Sequence, residues 1–206
     1  MQVKDFEIPY TTANSIFKLY LIGDCHLGTI HCLEDKLKAK VKEVADTPNA
    51  YWIGMGDAGE FITPRDPRFD PGQKAIADWI KTDDIARCQE DKVTELFEPI
   101  KKQCIGLLYG NHEETFRKYN YGNVQQHICD NLRVDNLGFS CFVRLFFRRE
   151  NSNETHQITL ALTHGSGSCI TKGAKLNKLR RFMDDFNARI YGFGHMHDII
   201  QDTKPY

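Results

Sequence analysis

The sequence has no long hydrophobic run and almost no net charge, and each absence excludes a class of protein. No apolar stretch approaches the roughly 18–20 residues that a membrane-spanning helix needs, so we expect no contact with a membrane. Residues 1–10 lack both the basic start and the apolar stretch of a secretory signal peptide. The formal net charge of −1 over 206 residues gives no general attraction to nucleic acid, so such binding would need a local basic patch.

The sequence also lacks any CxxC pair, although it contains seven cysteines. An odd, scattered number of cysteines in a chain of this size indicates reduced thiols, and we therefore expect a cytoplasmic protein. Cys25 lies inside one of the polar motifs considered below. It could be a ligand, a nucleophile or a small buried spacer, and we favour the spacer.

The first part of the chain alternates short apolar runs with helical patterns. Residues 16–24 and 50–56 predict buried strands, and residues 33–46 between them have the apolar spacing of a helix. This order predicts a βαβ unit with parallel strands. Farther along, the pattern predicts a loop at 57–72 and one or two helices at 73–104. It then predicts a strand at 105–110 and another helical stretch at 111–133.

The second part of the chain has a different pattern. Residues 141–150 and 157–165 have strand composition and are joined by a polar turn, so they predict a hairpin. A helix is expected over about 172–185, followed by a last strand within 188–197. We therefore expect one α/β domain with parallel crossovers first and antiparallel strands later.

Five apolar runs end directly in polar side chains that can bind a metal, which are Asp24 with His26, Asp57, Asn111 with His112, His164, and His195 with His197. Because the carboxyl ends of strands share one rim in an open α/β sheet, we expect these side chains to meet at a single edge. On extended backbone, Asp24 and His26 would also point to the same side. Any one of these five groups alone could have a purely structural role, such as a turn at Asn111. The five groups together indicate a metal site.

The order of these blocks resembles that of the calcineurin-like metallophosphoesterases, over roughly residues 16–198. The matching segments are Asp24-x-His26, Gly56-Asp57, Gly110-Asn111-His112-Glu113, His164 and Gly194-His195-x-His197. The resemblance implies a four-layer α/β/β/α sandwich of two mixed sheets, formed by a single domain over residues 1–206. It also implies a dinuclear metal centre.

In the ligand set that the resemblance implies, one metal is held by Asp24, His26, Asp57 and His197, and the other by Asp57, Asn111, His164 and His195. Asp57 would bridge the two metals, with a metal-bridging hydroxide as nucleophile, and His112 would be the catalytic histidine at the leaving-group oxygen. Glu113 would either orient the His112 ring or cap the following helix. The mixed nitrogen and oxygen donors fit Mn²⁺, which we favour, as well as Fe, Zn²⁺ and Co²⁺.

Two features depart from the family pattern. Asp57 and Asn111 are 54 positions apart, so residues 60–104 are expected to be a helical insertion that either roofs the site or adds a helical layer. The chain also stops nine residues after His197, where the family continues through further strands. We therefore expect either a sandwich that lacks C-terminal strands or a second sheet closed by residues 3–10.

The segment 164–181 gives the strongest indication of a substrate. It combines two glycines with serines and several cations. We expect Ser166, Lys172 and Arg180 of this segment, together with Asn111, to contact substrate. The alternative is a solvated helix face.

We predict a metal-dependent phosphoesterase that favours phosphodiesters, with a nucleotide or nucleic acid as a possible substrate. The alternatives are a DNA or RNA nuclease of the same family and a non-catalytic metal-binding scaffold, and the sequence indicates no particular protein partner.

Overall fold

The structure, a computed structural model, describes residues 1–70 and 75–203. Its strands are β1 (Gln2–Tyr10), β2 (Lys18–Ile22), β3 (Ala50–Met55), β4 (Cys104–Leu108), β5 (Asn136–Gly138), β6 (Ser140–Arg149), β7 (Thr155–Thr163) and β8 (Ile190–Phe193). Its α-helices are α1 (Glu34–Asp46), α2 (Ile85–Phe97), α3 (Asn111–Asn120), α4 (Val124–Leu132) and α5 (Lys172–Asp185), and a 3₁₀ helix spans Glu98–Gln103. The fold is therefore mixed α/β. No helix in the described part of the chain is long and apolar enough to cross a membrane.

The first sheet has the strand order β2-β3-β4-β5 and is parallel throughout. The predicted βαβ unit is confirmed, because β2, α1 and β3 follow one another and the two strands are parallel. The expectation of two mixed sheets is wrong for this sheet. Each connection between its strands carries a helix that returns the chain to the same end, which forces a parallel neighbour.

The second sheet has the order β1-β6-β7-β8 and is mixed, as predicted. β6 and β7 form the predicted antiparallel hairpin, whereas β1 pairs with β6 and β7 with β8 in parallel. Residues 3–10 therefore do join the second sheet, and they lie at its edge as the partner of β6.

Apolar side chains of the two sheets pack against each other. On β6, alternate residues Cys141, Val143 and Leu145 are buried in one cluster with Ile53 of β3 and Ile105 of β4. This alternation is what a strand with one face toward a core requires.

Aromatic side chains connect each sheet to a helix. Trp52 of β3 stacks on Phe97 of α2 with 4.8 Å between ring centroids, and its indole N–H donates a 2.8 Å hydrogen bond to the Ile100 carbonyl. On the second sheet, Phe142 of β6 contacts Phe186, the residue after α5. These contacts join α2 to the first sheet and the end of α5 to the second.

The helical expectation for residues 73–104 is correct only in its second half. α2 and the 3₁₀ helix cover 85–103, but residues 75–84 form no helix. The backbone N–H of Ala77 donates to the Gly28 carbonyl, and that of Ile30 donates to the Ala75 carbonyl. Because these groups are bonded to the loop after β2, they are not available for helical hydrogen bonds. Residues 71–74, which include parts of the predicted loop and helix, lie outside the described residues.

Candidate metal centre

The predicted metal-binding side chains follow strand ends of both sheets rather than of one. Asp24, Asp57 and Asn111 follow β2, β3 and β4 of the first sheet, whereas His164 follows β7 and His195 follows β8 of the second. The expectation of a single sheet edge is therefore wrong. Two contacts join the sheets at this point: His164 Nδ1 lies 2.8 Å from the Met55 carbonyl oxygen, and the His195 N–H donates to the Asp24 carboxylate at 2.9 Å. The site lies where the ends of two stacked sheets meet.

The backbone at this junction is left-handed at five of the seven predicted ligands, with φ between 47° and 68° at Asp24, His26, Asp57, His195 and His197. Asp24 and His26 come after β2 ends at Ile22, so the argument from extended backbone is wrong for them, although they do come together. A positive φ is uncommon outside glycine and concentrates at functional sites.

The first group of side chains, called the inner cluster, consists of Asp57, His164 and His195. They offer ligand atoms within 4.8 Å of one another. His164 donates from Nδ1 to the Met55 carbonyl, so its Nε2 carries the lone pair in the neutral ring. That Nε2 lies 3.1 Å from Asp57 Oδ2 and 3.0 Å from Asn111 Oδ1, so three lone pairs converge.

Such convergence of acceptors requires a proton or a metal cation between them. The inner cluster also contains a buried nitrogen, His195 Nδ1, for which the described residues supply no hydrogen-bond partner. A divalent cation would satisfy both features, and the nitrogen and oxygen donors are of the kind that such cations bind. The inner cluster therefore fits a metal ion.

The pKa values of the inner cluster follow from the same contacts. Burial opposes ionisation of Asp57, but the hydrogen bond and charge of His164 outweigh it and lower the pKa of the carboxyl group. Burial also opposes protonation of His164, yet its contact with Asp57 raises the pKa of the ring. Burial and the neighbouring His164 lower the pKa of His195. Asp57 is therefore a carboxylate, ready to bind a cation.

The second group, called the outer cluster, consists of Asp24, His26 and His197, whose ligand atoms also lie within 4.8 Å of one another. His26 Nε2 lies 3.1 Å from His197 Nε2, so the two lone pairs face each other unless a proton or cation lies between them. His26 Nδ1 lies 2.9 Å from Glu60 Oε2. A carboxylate on the second ring nitrogen is the usual support of a metal-binding histidine, because it orients the ring and fixes its tautomer.

Asp57 lies between the two clusters. Its Oδ2 atom is 3.1 Å from His164 Nε2 and 3.9 Å from His26 Nε2. The close approach depends on glycine, since a Cβ atom on Gly56 would lie 2.6 Å from His164 Nδ1, and the φ of 92° at Gly56 also favours glycine. One carboxylate is thus within reach of both clusters.

His112 lies beside the outer cluster. Its ring centroid is 4.5 Å from that of His26, and its Nδ1 donates to the Glu60 carbonyl oxygen over 2.6 Å. Its Nε2 accepts a 2.8 Å hydrogen bond from Nη1 of Arg68. Burial lowers the pKa of the ring, so the neutral form is favoured, with the lone pair on Nε2.

Glu113 caps the helix that follows Asn111, which was one of its two predicted roles. Its carboxylate accepts the backbone N–H of Gly110 at the start of α3, together with the N–H groups of Asp57 and Ala58, at 2.8, 3.1 and 2.9 Å. Burial and the charge of Asp57 raise the pKa of Glu113 to about 7. Glu113 therefore joins the loop of Asp57 to the start of α3.

The predicted substrate contacts are divided in space. Asn111 lies in the inner cluster region, whereas Ser166, Lys172 and Arg180 are exposed, and Arg180 is paired with Asp202. Among residues 1–70 and 75–203, no recorded contact joins these three exposed side chains to either cluster. Two neighbouring lysines of α5 instead support the loops of the site, because Lys175 donates to the Met196 carbonyl and Lys178 to the Gly167 carbonyl, each at 2.8 Å.

Sequence reasoning missed two residues of the site, Glu60 and Asp66. Glu60 could have been found, because it lies three residues after Asp57 and offers a carboxylate near a predicted ligand. Arg68 and Arg65 both belong to the insertion that was expected either to roof the site or to add a helical layer, and the pattern did not distinguish one arginine from the other. Cys25, which we favoured as a spacer, packs against the core on the helical side of the first sheet.

Comparison with known proteins agrees with this geometry. The sequence profile of the calcineurin-like phosphoesterases matches residues 17–198. Neither the comparison with curated proteins nor that with solved structures finds a match. The matched region contains both clusters and His112, and it covers most of the chain, so this protein belongs to the calcineurin-like phosphoesterase family.

Proposed function

We propose that this protein hydrolyses phosphodiesters with the help of two divalent cations, one held by each cluster. The observation that carries the proposal is the convergence of Asp57 Oδ2 and Asn111 Oδ1 on His164 Nε2, at 3.1 and 3.0 Å. Three acceptors in a buried position favour a cation, and membership of the family implies metal-dependent phosphoester hydrolysis.

The inner cluster and Asn111 would hold one cation, the outer cluster the other, and Asp57 would contact both. When bound, the two cations would polarise the phosphoryl oxygens as Lewis acids and lower the pKa of water from about 15.7 toward about 7. Mn²⁺ is the favoured metal, because mixed imidazole, carboxylate and amide donors without a thiolate suit it. Fe, Zn²⁺ and Co²⁺ fit the same donor set.

His112 would protonate the oxygen of the departing alcohol. Its Nδ1 donates to the Glu60 carbonyl, so the transferred proton would be held at Nε2. Because Nε2 of the neutral ring accepts from Arg68, the ring would first take up a proton there in place of that hydrogen bond. The ring lies beside His26 without occupying the position between the two facing nitrogens of the outer cluster. An imidazole in this position can transfer a proton at neutral pH.

A cleft beside the outer cluster favours a diester over a monoester. It has a volume of about 800 Å³, and its lining includes His26, His112 and His197 together with Leu33 and Lys36. A diester has a second esterified group, which this cleft could hold, whereas a monoester has no group to place there. Apolar and basic lining residues suit a nucleoside or another group that combines an apolar part with an anion.

We further propose that residues 1–206 form one domain with α/β/β/α layers, in which residues 60–104 are an insertion. The support is the apolar cluster between the two sheets and the helices packed on their outer faces. Cytoplasmic location is proposed because all seven cysteines are free thiols.

A substrate screen with measured metal content tests this function. The protein loaded with Mn²⁺ is assayed on p-nitrophenyl phosphate, bis-p-nitrophenyl phosphate, dinucleotides and single-stranded oligonucleotides. We expect about two metal ions per chain and faster hydrolysis of the diester. No hydrolysis by protein that holds two metals would overturn the proposal, and a marked preference for oligonucleotides would indicate a nuclease.

The proton donor is tested with His112→Ala. We expect unchanged metal content and turnover reduced by about 10²–10⁴-fold, the range of a lost general acid. His156→Ala, which removes an exposed imidazole near the β6–β7 turn, is the matched control and should behave as wild type. Unchanged turnover in His112→Ala would exclude His112 as the donor.

A further inference from the structure

Arg68 brings a fixed positive charge to the proton donor. Its Nη1 lies 2.8 Å from His112 Nε2, the atom that would face the leaving group. Among the five N–H groups of a guanidinium, this bond uses one and the bonds to Asp66 use two, so two remain for a ligand among the contacts of the described residues. Its side chain is 38% exposed, so a ligand can reach it.

The guanidinium is held in place by a buried carboxylate. Asp66 Oδ1 accepts from Arg68 Nε at 3.0 Å, Asp66 Oδ2 accepts from Nη2 at 2.7 Å, and the Asp66 side chain is 1% exposed. Asp66 Oδ1 also accepts the backbone N–H of Arg68 at 2.9 Å. A bidentate pair of this kind fixes the plane of the guanidinium as well as its position.

The loop that carries the pair is itself tied to two helices. The backbone N–H of Phe61 donates to Gln89 of α2 at 2.7 Å, and the Thr63 hydroxyl donates to Asn120 of α3 at 3.1 Å. A donor held in this way pays little entropy when it meets a ligand, which is how preorganised sites gain affinity.

We propose that Arg68 binds a non-bridging oxygen of the substrate phosphoryl group and that Asp66 positions it for this contact. The inference rests on the proposed phosphoester hydrolysis and adds a residue from the insertion to it. A planar guanidinium with two free donors matches the oxygens of a phosphoryl group, and it lies beside the histidine that faces the leaving oxygen. Arg68 then recognises the charge of the phosphoryl group from its position beside His112.

The inference is tested with inorganic phosphate as a competitive inhibitor of the Mn²⁺-loaded protein and with kcat and KM on bis-p-nitrophenyl phosphate. In Arg68→Met we expect the inhibition constant of phosphate to rise about 10- to 100-fold and kcat/KM to fall by a similar factor, as for a lost charge-assisted hydrogen bond. Metal content should not change. Arg65→Met, which removes an exposed arginine from the same loop, is the matched control and should equal wild type.

Two further variants separate phosphate binding from a structural role. Arg68→Lys keeps a cation for the buried Asp66 and should fold, but a single ammonium cannot reproduce the fork, so we expect phosphate inhibition weakened about 3- to 10-fold. If Arg68 acts on phosphate rather than only on His112, the Arg68→Met effect on phosphate inhibition persists in the His112→Ala background.

Failure of the proposed role of Arg68 can be distinguished from failure of the proposed phosphoester hydrolysis. A wild-type protein that holds two metals and hydrolyses no phosphoester would end the proposed function. An active wild type with phosphate inhibition unchanged in Arg68→Lys and Arg68→Met, or an Arg68→Met effect that vanishes in the His112→Ala background, would overturn the role of Arg68 alone.

Discussion

The inner and outer clusters have similar ligands but different surroundings. The side chains of His164 and Asp57 are 0% and 1% exposed, whereas that of His197 is 56% exposed. Polar groups without solvent depend on one another and on a cation for their hydrogen-bonding capacity. We therefore expect the inner cluster to hold its metal tightly and the outer cluster to exchange its metal with solvent.

The clusters also differ in what supports their histidines. His164 is oriented by the backbone carbonyl of Met55, which a substitution cannot remove, whereas His26 is oriented by the side chain of Glu60. Of these two histidines, therefore, His26 is the one whose orientation a side-chain substitution can disturb.

The largest expected effect comes from the residue that the clusters share. Asp57→Ala should reduce the metal content from about two ions per chain to near zero, because both clusters lose an oxygen donor. Asp24→Ala should remove only the outer ion and leave about one. Metal analysis of the purified variants measures both, and two ions retained in Asp57→Ala would contradict the shared role of Asp57.

The next effect tests the support of His26. Glu60→Gln should weaken metal binding at the outer cluster by about 10- to 100-fold, the usual effect of losing the partner of a metal-binding histidine. The inner cluster serves as the internal control, since its histidine is held by a carbonyl. A titration with Mn²⁺ that resolves two binding steps gives the result, and equal weakening of both steps would refute the distinction.

A pH titration provides a third comparison. The pKa values of His26 and His164 are raised, in each case against the effect of burial, by Glu60 and by Asp57 respectively. Metal requires the neutral ring, so as the pH falls below these raised values, protons compete and the affinity should fall by about tenfold per pH unit for each ring. Calorimetry in buffers of different ionisation enthalpy should detect protons released on binding, one from each cluster. Affinity independent of pH between about 5 and 7 would contradict this.

The smallest effect concerns stability rather than metal binding. Glu113→Gln replaces one acceptor oxygen by a donor facing buried N–H groups, so we expect a loss of about 1–3 kcal/mol in the free energy of unfolding. Glu114→Gln changes an exposed neighbour on the same helix and should alter stability by less than about 0.5 kcal/mol. Denaturant unfolding of both variants makes the comparison, and equal stability would show that Glu113 is not needed to join the loops.

Sequence patterns predicted elements well where one local period dominates. α1 and α5 begin and end within about one residue of their predicted bounds, and the β6–β7 hairpin is confirmed. The pattern failed over residues 75–84, whose backbone hydrogen bonds are made to the loop at Gly28 and Ile30. Local periodicity contains no information about a partner nearly fifty residues away.

The same division applies to the site. All seven predicted ligands lie in or beside the two clusters, because each follows a recognisable apolar strand. Extended-backbone reasoning did not predict the left-handed φ values, since these residues lie in the loops that follow β2, β3 and β8 rather than on the strands. Arg68 could not be distinguished from Arg65, because its contact with His112 depends on how the loop folds back.

By itself the sequence determined which residues are candidates to bind a metal: apolar runs form strands through burial, and the polar residues after them are placed at strand ends. The tertiary structure decided how these residues are shared between a buried and an exposed cluster, and that an arginine of the insertion reaches the proton donor. The physical reason is the sequence distance over which each effect acts. Propensity and periodicity act over a few neighbouring residues, whereas burial and convergence depend on how two sheets and a long loop pack together.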